Sequence, residues 1–117
     1  MIYLAGPYSH PSLSVRRERT KLLTEACNLL MSRGEQVFSP VTLGHALWEQ
    51  NPNLPTDAHS WEAYNFWFLD RCDSLVVLKL PGWRESVGTT REISRANRNM
   101  LPVTFMTLEE LEDGSQK

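Results

Sequence analysis

A strand, a loop and the start of a helix follow one another between residues 74 and 96, and this succession most restricts how the chain can fold. Ser74–Leu78 is an apolar, β-branched run that is typical of a buried strand. Pro81 and Gly82 then predict a turn, after which the sequence takes on helical chemistry. A strand that enters a helix in this way is typical of an α/β protein with a parallel sheet.

The start of that helix is rich in hydroxyl groups and contains a glycine. The first backbone N–H groups of a helix have no partner within it and can hold a phosphate or another anion. Open α/β sheets bind their ligands in such loops, at the carboxyl ends of parallel strands. The residues that predict an anion-binding loop here are Ser86, Gly88, Thr89 and Thr90.

Glu92 lies on the same predicted helix and has two interpretations. The positive end of the helix dipole is expected to favour its ionised form, and an ionised carboxylate beside an anion-binding loop suits a nucleophile. Thr89-x-x-Glu92 also fits a capping box, in which Glu92 only accepts a hydrogen bond from a backbone N–H. The spacing leaves both interpretations open.

The rest of the chain repeats the alternation of strands and helices. With 117 residues and 41% hydrophobic content it suits one domain, which we assign to residues 1–112 with a frayed tail at 113–117. We predict a Rossmann-like or flavodoxin-like three-layer sandwich, with a mainly parallel sheet of four to five strands and the first strand central. The other predicted strands are Ile2–Ala5, Gln36–Ser39 and Leu101–Met106; the predicted helices start at Ser12, Ala58 and Ser86, with a helical or irregular segment at 44–48 and a helical turn at 107–112.

The loop after the first strand adds polar groups to the same sheet edge. Tyr8 is placed to orient a carboxylate, and Ser9 and His10 to contact a substrate, although an exposed loop histidine is the commoner case. Asn65 interrupts an apolar helical stripe, so its amide needs a partner, either a ligand or the backbone. His45 either faces a pocket or is structural, and the loop 51–56 is long enough to act as a lid.

Composition argues against several classes of partner. The net charge of −2 gives no overall electrostatic signal for a nucleic-acid polymer or a membrane surface. Cys27 and Cys72 belong to no metal-binding or disulfide pattern, so we expect neither a metal nor another cofactor. The first residues lack the features of a signal peptide, and a cytoplasmic location is expected.

Three segments together resemble the nucleoside 2-deoxyribosyltransferase-like superfamily. They are the opening Ile2–Tyr8, the pair Cys72–Asp73 before a strand, and Ser86-x-Gly88-x-x-x-Glu92. The loop Leu80–Trp83 looks most like a branch of small bacterial proteins within that superfamily. The resemblance extends from the first strand to the last.

The resemblance implies an N-glycosidase or deoxyribosyltransferase-like activity in which Glu92 attacks the anomeric carbon and displaces the base. It implies that Ser86 favours a 5′-phosphate, that Tyr8 positions substrate and nucleophile, and that no cofactor takes part. Asn65 stands where this superfamily usually has an aspartate, and it can hydrogen-bond a base but cannot protonate one. The full set of expected site residues is Glu92, Tyr8 and Asn65 as catalytic groups, with Gly6, Ser9, Ser86, Gly88 and Thr89 binding the substrate.

Asn65 also motivates two alternatives. An enzyme whose leaving base is already cationic, such as the nicotinamide of NAD, needs no acid, and a nucleotide-binding module needs no chemistry at all. Aromatic residues on more than one face of the helix that follows residue 57 further predict a homo-oligomer. Those aromatic residues are Trp61, Phe66, Trp67 and Phe68.

Overall fold

Four short apolar runs form a single parallel sheet in the computed structural model, which describes residues 1–114. The strands are β1 (Ile2–Ala5), β2 (Val37–Phe38), β3 (Ser74–Leu78) and β4 (Val103–Met106), and their order across the sheet is β2-β1-β3-β4. All three pairings are parallel, and β1 is central, as predicted. The predicted α/β fold class is therefore confirmed.

The helices begin where the sequence supplies a cap or a proline. Ser12 and Asp57 accept hydrogen bonds from the backbone N–H groups of Val15 and Ser60, three residues further on, as N-cap residues do. Pro40 opens the next helix at a position that needs no N–H donor. The helices are α1 (Leu13–Ser32), α2 (Pro40–Gln50), α3 (Ala58–Leu69), α4 (Val87–Arg98) and α5 (Leu108–Gly114), with a short 3₁₀ turn at Trp83–Glu85.

Alternating side chains of the central strands build two cores, one on each face of the sheet. Leu4 and Leu78 pack with α1 and α5, whereas Tyr3 and Val77 pack with α3 and α4 on the opposite face. Because both faces are covered, β1 and β3 are apolar in successive positions rather than in alternate ones. The result is the predicted three-layer sandwich.

Several element boundaries differ from the sequence prediction. The strand β2 has two residues instead of four, α3 ends at Leu69 instead of Cys72, and the segment around residue 44 is a regular helix. Asp113 and Gly114 continue α5 instead of fraying, and the other residues of the predicted tail, 115–117, lie outside the described part of the chain.

Within residues 1–114, no helix combines the length and the apolar character needed to cross a membrane.

Two ion pairs join α3 to α4 on the surface. Glu62 pairs with Arg91, and Arg95 Nη2 lies 2.7 Å from Asp70 Oδ2. The hydrogen bond from Arg95 lowers the pKa of Asp70 to about 2. These partially exposed pairs contribute little stability individually, and they lie between two helices that border the ligand crevice.

The strand order creates a crevice at the carboxyl ends of β1 and β3. The chain leaves β1 through α1 on one face of the sheet and leaves β3 through α4 on the other, so the two loops diverge there. Arg19 of α1 connects both loops, because its Nη1 donates to the carbonyl of Ser9 at 3.1 Å and its Nη2 to that of Pro81 at 3.3 Å. This divergence is the usual place for a ligand in an open α/β sheet.

Candidate functional site

A cavity of about 430 Å³ occupies this crevice. The loops after β1 and β3, the N-terminal halves of α3 and α4, one face of α2 and the loop before α3 form its walls. Residues that are far apart in sequence thus meet at one edge of the sheet. All eight residues expected from the sequence line the cavity: Gly6, Tyr8, Ser9, Asn65, Ser86, Gly88, Thr89 and Glu92.

Glu92 lies in the second turn of α4 with only 8% of its surface exposed. Its Oε2 accepts a hydrogen bond from the hydroxyl of Tyr3, a fully buried residue in the middle of β1. The sequence indicated Tyr3 only as a strand residue, and this role was not predicted. A tyrosine within a central strand was the available signal, because a buried phenol usually finds a hydrogen-bond partner.

Burial sets the charge state of Glu92. Loss of solvent raises the pKa of this carboxyl group to about 7, the hydrogen bond from Tyr3 opposes that rise, and nearby Glu62 adds to it. The expectation that the surroundings of Glu92 favour its ionised form is therefore wrong in its net direction, because desolvation is the largest effect on its pKa. Tyr3 remains the donor, since burial and Glu92 hold the pKa of its phenol well above the usual range.

The capping-box interpretation of Glu92 is wrong as well. Ser86 is the N-cap of α4, and its Oγ accepts a hydrogen bond from the backbone N–H of Thr89 at 3.2 Å. The N–H of Thr90 bonds to the carbonyl of Ser86. Within residues 1–114, the N–H groups of Val87 and Gly88 have no hydrogen-bond partner, so the helix start keeps two free donors at the cavity wall.

Two polar side chains in the cavity also lack partners within the described residues. The Thr89 hydroxyl is fully buried and makes no hydrogen bond. The Asn65 amide, which is partly exposed, has no hydrogen-bond partner there either, so the interpretation that it bonds to the backbone is wrong for this side chain. Buried polar groups are rarely left unsatisfied, so the Thr89 hydroxyl is an exception on the cavity wall, and the Asn65 amide is free to bind a ligand.

Tyr8 makes no hydrogen bond to Glu92 within the described residues, contrary to the prediction that it orients this carboxylate. Its hydroxyl lies 2.7 Å from Nδ1 of His45, whose Nε2 lies 2.8 Å from Oε1 of Glu49. His45 is 6% exposed and faces the cavity, which is one of the two possibilities that the sequence left open. Tyr3 occupies the position on Glu92 that was expected for Tyr8, because β1, and not the loop after it, faces the buried side of α4.

The remaining loop residues have structural contacts of their own. The hydroxyl of Ser9 donates to the carbonyl of Thr56 at 2.9 Å and so ties the first loop to the segment before α3. His10 is exposed, does not line the cavity, and accepts a hydrogen bond from the N–H of Ser12. A side chain at Gly6 would begin 2.7 Å from Cδ2 of Leu23, so glycine is needed for α1 to approach this closely.

The outer wall of the cavity is aromatic. Trp48 of α2 and Trp61 of α3 both line it, and Nε1 of Trp61 donates to the carbonyl of Pro55 at 2.8 Å. This bond holds the loop 51–56, the predicted lid, against α3. In the described part of the chain, no three acidic, histidine or cysteine side chains are grouped in a way that could hold a metal ion.

Fold and site together define an α/β protein with a buried carboxylate in a cavity at the switch point of a parallel sheet. The chain belongs to the family described as "Domain of unknown function (DUF1937)", whose model matches residues 1–108. No curated protein matches this chain.

Proposed function

We propose that this protein cleaves the N-glycosidic bond of a nucleotide or nucleoside with Glu92 as the nucleophile. The observation that supports this most is the buried carboxylate of Glu92 on the cavity wall, with Tyr3 bound to one of its oxygens and α4 presenting free N–H groups one turn away. A carboxylate that is held by a single hydrogen bond keeps lone pairs for attack on an electrophilic carbon.

The reaction has two steps. In the first, an oxygen of Glu92 bonds to the anomeric carbon of the sugar while the bond from that carbon to the base nitrogen breaks, and the base departs with the electron pair. In the second, water or another base displaces Glu92 from the sugar. The nucleophile must be ionised, and because burial raises the pKa of Glu92 to about 7, activity is expected to increase as the pH rises through this value.

The start of α4 favours a phosphorylated substrate. The N–H groups of Val87 and Gly88 are free donors, and Ser86 keeps its own O–H for donation because its oxygen is what accepts from Thr89. The helix dipole adds positive potential at this point. A 5′-phosphate bound here would lie on the α4 wall of the cavity, one helical turn from Glu92.

Asn65 and the two tryptophans of the outer wall provide the chemistry to hold a base. An aromatic face stacks on a nucleobase, and an unpartnered amide can both donate to and accept from its polar edge. Asn65 cannot supply a proton to a departing neutral base. A neutral base therefore takes its proton from another group, whereas a cationic base leaves without one.

A homo-oligomer and a cytoplasmic location are also part of this proposal. Trp67 and Tyr64 on α3 are 53% and 45% exposed, which leaves aromatic surface available to a second copy of the chain. Light scattering at micromolar concentration is expected to give more than the mass of one chain.

The test is the release of free base, followed by chromatography, from deoxynucleotides, ribonucleotides, nucleosides and NAD. Glu92→Gln removes the nucleophile while it keeps an oxygen for Tyr3, and Glu109→Gln on the exposed side of α5 is the matched control. We expect release by the unaltered protein and by the control, and none by Glu92→Gln. Release of nicotinamide from NAD alone would instead favour the glycohydrolase, and saturable binding without any product would favour the binding module.

A further inference from the structure

Three titratable side chains linked by hydrogen bonds form part of the cavity wall, and none of them has a role in the proposed attack by Glu92. The hydrogen bonds run from the Tyr8 hydroxyl to Nδ1 of His45 at 2.7 Å, and from Nε2 of His45 to Oε1 of Glu49 at 2.8 Å. Tyr8, at one end of this row of side chains, lines the cavity. Glu49, at the other end, is exposed and pairs with Arg17 at 3.8 Å. The row therefore connects the cavity with solvent.

The hydrogen bonds determine which ring nitrogen of His45 carries a proton. An ionised carboxylate only accepts hydrogen bonds, so Nε2 of His45 carries the hydrogen that Glu49 receives. Nδ1 can then accept the O–H of Tyr8, or carry a second hydrogen and donate it to the Tyr8 oxygen. These two states differ by one proton and require no movement of heavy atoms, which is the property that a proton relay needs.

Tyr8 itself is kept in the protonated form that an acid requires. Its side chain is half-buried, and this burial raises the pKa of the phenol above its ordinary value, while the nearby Arg16 guanidinium opposes that rise. The imidazole of His45, hydrogen-bonded to that phenol at 2.7 Å, is the group that can pass a proton to it or take one from it. Aromatic contacts hold the ring of His45 in place, with centroid distances of 5.6 Å to both Tyr8 and Trp48.

We infer that Tyr8, His45 and Glu49 form the proton relay that serves the departing base in place of the acid that Asn65 cannot provide. This inference rests on the proposed function. Tyr8 is the group that contacts the base, and His45 and Glu49 act through it.

The proton balance covers both steps of the reaction. In the starting state His45 is doubly protonated. As the bond between sugar and base breaks, the base nitrogen takes the proton of the Tyr8 hydroxyl. The Tyr8 oxygen in turn takes the proton from Nδ1 of His45, which is left as a neutral imidazole. When water then attacks the sugar, it gives one hydrogen to Tyr8, Tyr8 returns its own to Nδ1, and the starting state is restored. Acid and base roles thus alternate on the same groups.

The experiment compares two leaving groups. One substrate is the nucleotide that the protein turns over best, and the other is the 4-nitrophenyl glycoside of the same sugar phosphate, whose leaving group departs as an anion without a proton. The variants are Tyr8→Phe and His45→Asn; the second keeps a hydrogen-bonding group near the position of Nδ1 but cannot be protonated. His10→Asn, at an exposed histidine that does not line the cavity, is the matched control.

We expect both relay variants to lose about a hundredfold or more in turnover of the nucleotide but only about threefold or less with the nitrophenyl substrate. A loss of equal size on both substrates would overturn the relay, because a merely structural role does not distinguish leaving groups. So would undiminished turnover of the nucleotide.

Glu92→Gln separates this inference from the proposed function. The nucleophile is needed for either leaving group, so this variant should lose both activities. If Glu92→Gln kept the nitrophenyl activity, the proposed function would fail. If the unaltered protein hydrolysed only the nitrophenyl substrate, the nucleophile would stand and the relay would be refuted.

Discussion

Glu92→Gln is expected to stabilise the fold, and to do so increasingly as the pH rises. Burial raises the pKa of Glu92 from its ordinary value of 4.5 to about 7. Below the lower value the group is protonated in both the folded and the unfolded chain. Between the two values the unfolded chain releases its proton while the folded protein retains it, so the free energy of unfolding falls with pH and levels off only once the pH has passed the folded-state value of about 7.

The magnitude follows from the two pKa values. The full cost of ionising this buried group is about 3 kcal/mol, of which about 2 kcal/mol develops between about pH 5.5 and about pH 8.5. Glutamine has no charge to desolvate, and its amide oxygen still accepts the O–H of Tyr3. The variant should therefore lack this part of the pH dependence while every other titrating group contributes equally to both proteins.

Urea unfolding of both proteins at about pH 5.5 and about pH 8.5, followed by tryptophan fluorescence, measures how their difference in stability changes with pH. A change of about 2 kcal/mol corresponds to a shift of about 1 M in the relative midpoints for a domain of this size. If the difference in stability between the two proteins were the same at both pH values, the reasoning about the buried carboxylate would be refuted. A variant that is more stable but inactive would be typical of a site where function costs stability.

Three further substitutions test other parts of the structure. Tyr3→Phe removes the bond that lowers the pKa of Glu92, so the acid limb of the activity profile should move to higher pH; an unmoved limb would contradict the role given to this phenol. Gly82→Ala should lower the free energy of unfolding by about 1–2 kcal/mol, because φ is +90° and Arg19 Nη2 lies 2.6 Å from the new methyl position, and thermal unfolding would detect it. Leu4→Ala, at a fully buried site between the sheet and α1, should lower the free energy of unfolding, measured by urea denaturation, by about 2–5 kcal/mol. A decrease below about 1 kcal/mol would refute the packing of Leu4 against α1.

The elements that are governed by local signals were predictable from the sequence. The apolar runs identified all four strands, and the structure confirms the predicted cap at Ser12 and the predicted start of α3 at Ala58. The boundaries were less accurate, as in β2, because pairing with β1 and not local composition decides how many residues join a sheet. The cavity could be located because parallel strands bring all their carboxyl-end loops to one edge.

The pairings inside the cavity were not predictable. Tyr3 and Glu92 are 89 positions apart, and Tyr8 and His45 are 37 apart, so neither pair follows from a periodicity. The sequence by itself determined which residues reach the edge of the sheet, because strand, turn and cap signals act over a few residues. Only the tertiary structure decided which of them are hydrogen-bonded to each other and which are shielded from water. The desolvation that raises the pKa of Glu92, for example, arises from the packing of α4 against β1.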